Sequence, residues 1–341
     1  MDINNKPIGV SILCLAYNHE QFIADAIDGF LMQKTSFPFE IIIHEDASTD
    51  GTANIIRTYE EKYPGIIKPI YQTENQYSKG ININTEFMLP LAKGKYVALC
   101  DGDDYWTDVN KLQAQYDALE CNPECFMCLH RVIDRDTRST SPKEKYLPGN
   151  ELKSGRINSS VFVKILGDGD FFNEVCYFFN AEKYRQYQYN YPVFAQLFMK
   201  NKSDDAPMLY YFANIGDVYY LEDVMAVYRR FNIGSWSHSM SAKSKNEKTI
   251  FFKNAIDALN EYNTYSNRRF DKELDRIMKY NLFNYYYCQN MYKHMLDPKF
   301  DIIWKKQSSN FHKRVTLLSQ HPHIWGPIFN CIDAARGLNR H

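Results

Sequence analysis

Residues 96–106 constrain this chain more than any other stretch, because an apolar run ends there abruptly in three carboxylates. The run 96–100 is typical of a buried strand, and Asp101, Asp103 and Asp104 follow it directly. At the carboxyl end of a strand in an open α/β sheet lies the usual ligand site. Carboxylates this close need a counter-ion, and oxygen ligands favour Mg²⁺ or Mn²⁺ held partly by substrate phosphates. The alternative is an acidic turn that caps the helix beginning near Lys111.

The charge balance argues against a nucleic-acid partner. The 341 residues contain 40 Lys and Arg against 41 Asp and Glu, whereas nucleic-acid binding normally leaves a basic surplus. The N-terminus lacks an apolar signal core, and no uninterrupted apolar run reaches the roughly 18 residues of a membrane span. We therefore expect a cytoplasmic protein, built as one large domain with an appendage or as two domains.

Three of the eight cysteines have a spacing used for metal clusters. Cys121, Cys125 and Cys128 match the C-x3-C-x2-C pattern with which radical S-adenosylmethionine enzymes hold an iron–sulfur cluster. An amphipathic helix ends at Cys121 and an apolar run follows over 126–129, whereas a cluster loop should be free of such elements. Without a secretion signal, we predict reduced, buried structural thiols, with a metal cluster as the alternative.

Strand and helix patterns alternate over the first 130 residues, which predicts a mostly parallel sheet with helices on both faces. The ligand site should lie where Tyr17, Asp46 and Asp101 converge. No G-x-x-x-x-G-K-[ST] or G-x-G-x-x-G sequence follows a predicted strand, so the diphosphate of a bound nucleotide would be neutralised by the metal. The predicted strands are 10–16, 40–44, 66–71 and 95–100, and the predicted helices run through 22–31, 55–59 and 82–91.

The remaining sequence predicts a polar loop and then a helical extension. Residues 131–157 are rich in charged residues, Ser, Thr, Pro and Gly, and we predict a loop or excursion there. The alternation resumes with strands at 161–166 and 176–179 and a helix near 181–189. From about Lys243 the periodicity is helical only. We therefore predict a catalytic α/β domain over 1–240 and an α-helical extension over 241–341.

Four segments carry a resemblance: VSILCLAYN at 10–18, EIIIHEDASTDGT at 40–52, AKGKY at 92–96 and DGDDYW at 101–106. In order and spacing they resemble the family 2 glycosyltransferases, strongly over residues 8 to about 130 and more loosely to about 238. The resemblance implies the glycosyltransferase-A fold. It also implies a metal-dependent inverting transferase that moves a sugar from a nucleoside-diphosphate donor, a UDP-sugar, to a glycan or lipid-linked acceptor. Such enzymes commonly build bacterial surface polysaccharides.

The resemblance also assigns donor-site residues. It implies that Tyr17 stacks on the nucleotide base and that Asp46 accepts a hydrogen bond from a ring N–H, which selects uracil or a similar base. Asp101 would face the ribose or the metal, and Asp103 would be the main ligand of Mn²⁺ or Mg²⁺ in this DXD motif. Lys79 could add a positive charge near the phosphates, although a solvated loop lysine is an equal alternative.

An inverting transfer also needs a base that deprotonates the acceptor hydroxyl. The resemblance points to Asp205, where relatives have a Gly-Asp-aromatic-Pro run and this chain reads Asp204-Asp205-Ala-Pro207. Asp204 is therefore a rival, and helix N-capping by either aspartate is the alternative.

Beyond Asp205, the resemblance contains one further departure, at a histidine position, and one match, at Trp236. Many relatives place a histidine two residues beyond the arginine of the 224–229 run, where this chain has Phe231. If that histidine contacts the metal or the diphosphate in relatives, either His238 or Arg230 substitutes for it here or the role is lost. Trp236 either forms a wall of the acceptor site or packs in the core.

Other readings stay open for the function and for the helical extension. A non-catalytic nucleotide-sugar or glycan-binding relative would be marked by loss of the aspartates, and they are all present. A cluster-binding enzyme would be coloured when purified. The tyrosine-rich extension either packs by its aromatic face or contacts a membrane or polymer acceptor, and its basic and aromatic residues within 304–329 suggest peripheral contact with the inner membrane face.

Overall fold

The computed structural model of the protein describes residues 6–138, 143–149, 151–168, 172–201, 205–230, 243–305 and 307–335. The chain divides into two compact units. The first comprises Met1–Phe162, Asp170–Tyr191 and Met208–Asn232, and the second comprises Val163–Gly169, Pro192–Pro207 and Ile233–His341. The predicted boundary near residue 240 falls outside the described residues, so the division at that point stays a prediction.

Ten strands of the described residues form one sheet in the first unit. In chain order they are β1 (Val10–Ala16), β2 (Phe39–Glu45), β3 (Ile67–Tyr71), β4 (Tyr96–Leu99), β5 (Tyr105–Trp106), β6 (Cys125–Asp136), β7 (Lys143–Leu147), β8 (Gly155–Ile157), β9 (Phe178–Asn180) and β10 (Asp217–Arg230). Across the sheet the order is β3-β2-β1-β4-β9-β6-β10-β5, with β7 beside β6 and β8 beside β10.

The first four strands across the sheet are parallel, as the alternating sequence pattern predicts. Their central members are apolar and buried, which explains why 10–16 and 40–44 read as apolar runs without alternation. Beyond β4 the sheet becomes mixed, because β9 is antiparallel to both β4 and β6 while β10 is parallel to β6. The carboxyl ends of β1, β2 and β4 therefore lie along one edge.

The helices that precede residue 243 are α1 (Ile23–Leu31), α2 (Thr52–Lys62), α3 (Lys111–Cys121), α4 (Ser159–Gly167), α5 (Ala181–Asn190), α6 (Val193–Met199) and α7 (Asp205–Ile215). The later helices are Lys245–Tyr265, Asp271–Cys288, Tyr292–Met295, Asp301–Trp304, Ser309–Gln320 and Pro322–Ala335. This part of the described chain contains helices without strands, which confirms the predicted helical extension. Over the described ranges, no helix combines the length and apolarity needed to cross a membrane.

The strand predicted at 161–166 is wrong, because this segment lies inside α4. Phe162, Val163 and Leu166 are buried while Val161 is 53% exposed, so the burial follows helical rather than alternating spacing. Asn158 supports the helix start, since its side-chain oxygen accepts a hydrogen bond from the Ser160 N–H at 3.0 Å. An apolar run of six residues is too short for its spacing to distinguish a helix from a strand.

The loop predicted over 131–157 is also wrong for most of its length. Strand β6 continues to Asp136, and β7 returns antiparallel beside it. The charged residues pair across the two strands: Arg135 lies opposite Glu144 with an N–O distance of 2.7 Å, and Asp134 lies opposite Lys145 at 3.1 Å. Cross-strand ion pairs thus let a polar sequence form a hairpin.

Two shorter predictions also need correction. The helix predicted over 82–91 is a single π-helical turn, Asn84–Met88, followed by a turn at Pro90, which cannot donate a backbone hydrogen bond. The strand predicted at 176–179 begins later, at Phe178, after a 3₁₀ turn over Glu174–Cys176.

The cysteine prediction holds for two of its three members. Cys125 and Cys128 are buried in β6, and burial raises the pKa of the Cys125 thiol to about 12. Cys121 is exposed at the last residue of α3, so the prediction that it is buried is wrong. A sulfur at the end of a surface helix and two inside a strand do not form a cluster loop.

The aromatic residues of the helical extension form a small core of their own. Phe283, Met295, Phe300, Ile303 and Val315 are buried, and partly buried aromatic side chains pack around them. Among these, the Trp304 indole N–H donates to the Met295 carbonyl oxygen at 2.7 Å. Much of the tyrosine and tryptophan content of this region therefore serves packing.

Candidate functional site

Residues 101–104, which we call the aspartate loop, cross the carboxyl end of β1. The Gly102 N–H donates a hydrogen bond to the Leu15 carbonyl oxygen of β1 at 2.7 Å. The Asp104 N–H donates to the Asp101 carbonyl oxygen at 3.1 Å, which closes the loop into a tight turn. The loop is therefore attached to the sheet by its own backbone.

Gly102 is required by close packing at this crossing. A Cβ atom at this position would lie 2.8 Å from Ile23 Cδ1, 2.9 Å from His19 Nδ1 and 3.1 Å from the Leu15 carbonyl oxygen. These separations are shorter than ordinary van der Waals contacts, so any other residue would push the loop away from β1 and α1. The glycine thus fixes the position of the aspartates that flank it.

Asp104 is buried, and it joins the aspartate loop to β10. Its Oδ1 accepts a hydrogen bond from the Arg229 N–H at 2.7 Å. Burial, followed by the negative charge of Asp103, raises the pKa of the Asp104 carboxyl well above its usual value. Its carboxyl group is thus engaged inside the protein, and a contact between Asp104 and a ligand stays a prediction.

Negative charge is concentrated around the aspartate loop. Burial raises the pKa of the Cys14 thiol of β1, and the charges of Asp101, Asp103 and Asp104 raise it further. Within the described ranges, no three His, Cys, Asp or Glu side chains are arranged to hold a metal ion by themselves. Magnesium sites commonly combine one or two carboxylates with substrate phosphate oxygens. Asp101 and Asp103 fit that requirement, because both are only partly buried.

The loops after β1 and β2 are joined to each other by hydrogen bonds. The Asp46 N–H donates to the Ala16 carbonyl oxygen at 3.0 Å, and the Asn18 N–H donates to the Ser48 hydroxyl at 3.0 Å. Tyr17 lies between these contacts and is 43% exposed. The structure therefore places Tyr17 and Asp46 on the same sheet edge as the aspartate loop, with one flat aromatic ring open to a ligand.

Asp46 is buried, and both of its carboxylate oxygens have partners. Oδ1 accepts the Gln76 N–H at 2.7 Å and Oδ2 accepts the Tyr77 N–H at 3.1 Å. These bonds hold the segment after β3 against the end of β2. A carboxylate oxygen can accept a second hydrogen bond, so contact with a base stays a prediction. The structure adds a loop-anchoring part that the sequence does not indicate.

Lys79 lies in the same segment, at the end of a 3₁₀ turn. Its ammonium group forms an ion pair with the exposed carboxylate of Glu74. An exposed pair of this kind stabilises little and can open readily. Its contact with phosphate stays a prediction, and it requires the Lys79 ammonium group to leave Glu74 and bind the phosphate instead.

The predicted acceptor-side residues are less fully described. Asp205 is the first residue of α7, a place where an aspartate can cap the helix, and its side chain lies outside the described residues. Asp204, Trp236 and His238 also lie outside the described residues.

Arg229 is a member of the site that sequence reasoning missed. It is 8% exposed, it contacts the aspartate loop, and it follows the stretch 224–228 one residue before the end of β10. The available signal was an arginine that follows an apolar stretch near a strand end. The sequence does not show that its partner, Asp104, lies 125 residues earlier.

Comparison with known proteins decides the family. The family model described as Glycosyl transferase family 2 matches residues 11–200 of this chain. The chain belongs to this family. The four sequence segments indicate the same family, and the match includes the β1, β2 and β4 edge described above.

Two curated relatives show how far the similarity extends. An uncharacterised protein of Mycobacterium tuberculosis is 34% identical over 238 residues, which cover 69% of this chain and 63% of the relative. The Escherichia coli UDP-Glc:alpha-D-GlcNAc-diphosphoundecaprenol beta-1,3-glucosyltransferase WfaP is 35% identical over 127 residues, covering 37% of this chain and 47% of the enzyme. The chain thus spans less than two thirds of the length of these relatives.

A solved structure supports the fold. S. aureus TarS 1-349 in complex with UDP-GlcNAc has a TM-score of 0.57 and 16% identity, covering 86% of this chain and 78% of that chain. At this identity the likeness concerns the fold alone, and it confirms the predicted glycosyltransferase-A fold.

Proposed function

We propose that this protein is a metal-dependent, inverting glycosyltransferase that transfers a sugar from a UDP-sugar to a glycan or lipid-linked acceptor. The observation that carries the proposal is the placement of the aspartate loop across the end of β1, on the same sheet edge as the exposed ring of Tyr17. Ligands of open α/β sheets bind at this edge. The Escherichia coli relative is named as an enzyme that uses UDP-Glc and a diphosphoundecaprenol-linked acceptor, which supports both halves of the proposal.

The donor is held by two groups of residues. Tyr17 stacks on the base and Asp46 accepts its ring N–H, so these two select the nucleotide. Asp103, with Asp101, holds Mn²⁺ or Mg²⁺ beside the diphosphate, and Lys79 adds a positive charge. A bound divalent cation supplies charge stabilisation for the departing nucleoside diphosphate. Asp101 and Asp103 would fix the position of the cation, because the close packing of Gly102 on β1 fixes the loop that carries them.

The acceptor hydroxyl is deprotonated by Asp205, at the start of α7, while the oxygen attacks the anomeric carbon from the face opposite the diphosphate. Asp204 is the rival base. Trp236 and His238 complete the acceptor side in this proposal. The protein works in the cytoplasm on acceptors presented at the inner membrane face.

A panel of nucleoside-diphosphate sugars tests the proposal. We expect release of the nucleoside diphosphate from a UDP-sugar in Mn²⁺ and loss of that release in EDTA. A non-catalytic binding relative would bind a member of the panel without releasing product. Release from GDP- or ADP-sugars with equal efficiency would contradict the base selection by Asp46.

Two conservative variants separate chemistry from binding. Asp205→Asn keeps the shape and removes the basicity, so UDP affinity should persist while transfer falls on the order of 10²–10⁴-fold. Asp204→Asn is the matched control and should have a much smaller effect. If Asp204 proves indispensable instead, the base moves by one position. Full transfer activity in both variants would remove this segment from the catalytic site.

A further inference from the structure

Arg229 makes three separate contacts with the site and its support. Its Nη1 donates to the Asp103 carbonyl oxygen at 3.0 Å, and its backbone N–H donates to Asp104 Oδ1 at 2.7 Å. Its Nη2 forms an ion pair with the carboxylate of Asp25 on α1. One residue therefore connects β10, the aspartate loop and α1.

Aromatic rings hold the guanidinium group in place between these partners. The guanidinium carbon lies 4.2 Å from the ring centre of Tyr105 and 5.1 Å from that of Phe22. Such cation–π contacts favour a flat guanidinium over the ring face. The side chain is thus fixed by two rings as well as by its hydrogen bonds, and the arginine is 8% exposed.

The rest of the segment is attached to β10 through its backbone. Strand β5 pairs with β10 at Tyr105 and Trp106, and the Thr107 N–H donates to the Met225 carbonyl oxygen at 2.9 Å. The bond from the Arg229 N–H to Asp104 Oδ1 continues this attachment to residue 104. Arg229 extends the attachment by one more residue, to the peptide group of Asp103.

We propose that Arg229 is a positioning residue that fixes the main chain at Asp103, so that the Asp103 carboxylate points to the metal-bound diphosphate of the donor. This inference rests on the proposed function. A displacement of the main chain at Asp103 would carry that residue's side chain with it, and the guanidinium bond to its carbonyl oxygen opposes this displacement. A lysine cannot replace the arginine, because two nitrogen atoms of one planar group reach the loop and Asp25 together.

Titration of UDP, with and without Mn²⁺, tests this assignment in full-length protein. In Arg229→Lys we expect the affinity gained from Mn²⁺ to fall by about 10-fold, the effect of losing a hydrogen bond to a charged group. UDP affinity in EDTA should stay within about twofold of wild type, since the base site lies elsewhere on the edge. A variant that is merely less stable would lose both affinities together.

Arg135→Lys is the matched control. Arg135 also reaches this segment, since its Nη1 donates to the Tyr105 hydroxyl at 2.9 Å, but its described contacts do not include Asp103. It should keep the gain from Mn²⁺. An equal loss in Arg135→Lys would overturn the proposal in favour of general loosening of the segment.

The remaining outcomes are also decisive. An undiminished gain from Mn²⁺ in Arg229→Lys overturns the inference and leaves the proposed function intact. If Mn²⁺ does not change the UDP affinity of wild type, the proposed metal-dependent function itself is overturned. If Arg229→Lys does not fold, Asp25→Asn decides: we expect about a threefold smaller gain from Mn²⁺. A gain equal to wild type in Asp25→Asn would then refute the positioning role.

Discussion

Replacing Gly102 by alanine tests whether the aspartate loop is held by close packing. The added Cβ would lie 2.8 Å from Ile23 Cδ1, 2.9 Å from His19 Nδ1 and 3.1 Å from the Leu15 carbonyl oxygen. The isoleucine methyl group can rotate away, but the imidazole ring and the backbone oxygen cannot both yield without moving the loop. Overpacking of this kind costs typically 1–3 kcal/mol, and we expect about 2 kcal/mol of lost stability.

The same displacement should reach the function, because Asp101 and Asp103 flank the glycine. A shift of about 1 Å in a positioned group can reduce turnover by about 100-fold. Urea denaturation gives the free energy of unfolding, and release of nucleoside diphosphate from the preferred donor gives the turnover. Both should fall in Gly102→Ala.

Gly65→Ala is the matched control. No atom lies within 4 Å of a Cβ at Gly65. The change should leave the free energy of unfolding within about 0.5 kcal/mol of wild type. If Gly102→Ala behaves like Gly65→Ala in both assays, close packing does not position the aspartate loop and the reasoning is refuted.

Three further predictions follow from buried charge and exposed apolar surface. Asp104→Asn should be at least as stable as wild type at neutral pH. Because burial raises the pKa of the Asp104 carboxyl, the folding stability of wild type falls as the pH rises above the pKa of the unfolded chain. The asparagine has no such dependence, and its amide oxygen can still accept the hydrogen bond from the Arg229 N–H. Urea denaturation in EDTA should show the two proteins diverging above pH 4, and parallel profiles would contradict it. Burial lowers the pKa of Lys111 to about 8, so between pH 8 and 10.5 the unfolded chain binds a proton that the folded protein does not. The free energy of unfolding of wild type should therefore rise by up to about 3 kcal/mol relative to that of Lys111→Met as the pH is raised through this range. A constant difference between the two would show that the amine titrates normally. Ile324 and Ile328 are 58% and 41% exposed on the helix Pro322–Ala335. Replacing both by Glu should reduce the fraction of protein that sediments with anionic liposomes. If the variant and wild type sediment equally, this helix does not bind the membrane through these residues.

The sheet edge was predictable because local patterns define it. Apolar runs specify β1, β2 and β4 without help from distant residues, and polar residues begin where each run ends. The parallel order then brings Tyr17, Asp46 and the aspartate loop together. Segments whose structure depends on distant partners were predicted poorly, such as the β6–β7 hairpin, whose charges are paired across strands.

The individual carboxylates show the same division. Their position in the site follows from strand ends, but their hydrogen-bond partners do not. Asp46 accepts N–H groups thirty and thirty-one residues later, and Asp104 accepts one 125 residues later. No local pattern encodes such pairs, and this is also why Arg229 was missed. The sequence indicates which residues carry charge, whereas the fold determines which of them are engaged inside the protein.

The central claim is that Asp103 brings a divalent cation to the diphosphate of the donor. Calorimetric titration of UDP into wild type and Asp103→Asn, each in Mn²⁺ and in EDTA, tests it most directly. Exposed Asp117 on α3 provides the matched control, Asp117→Asn. We predict that Mn²⁺ strengthens UDP binding in wild type and in Asp117→Asn, and that Asp103→Asn binds UDP in Mn²⁺ only as well as in EDTA. Undiminished Mn²⁺-dependent binding in Asp103→Asn would contradict the account.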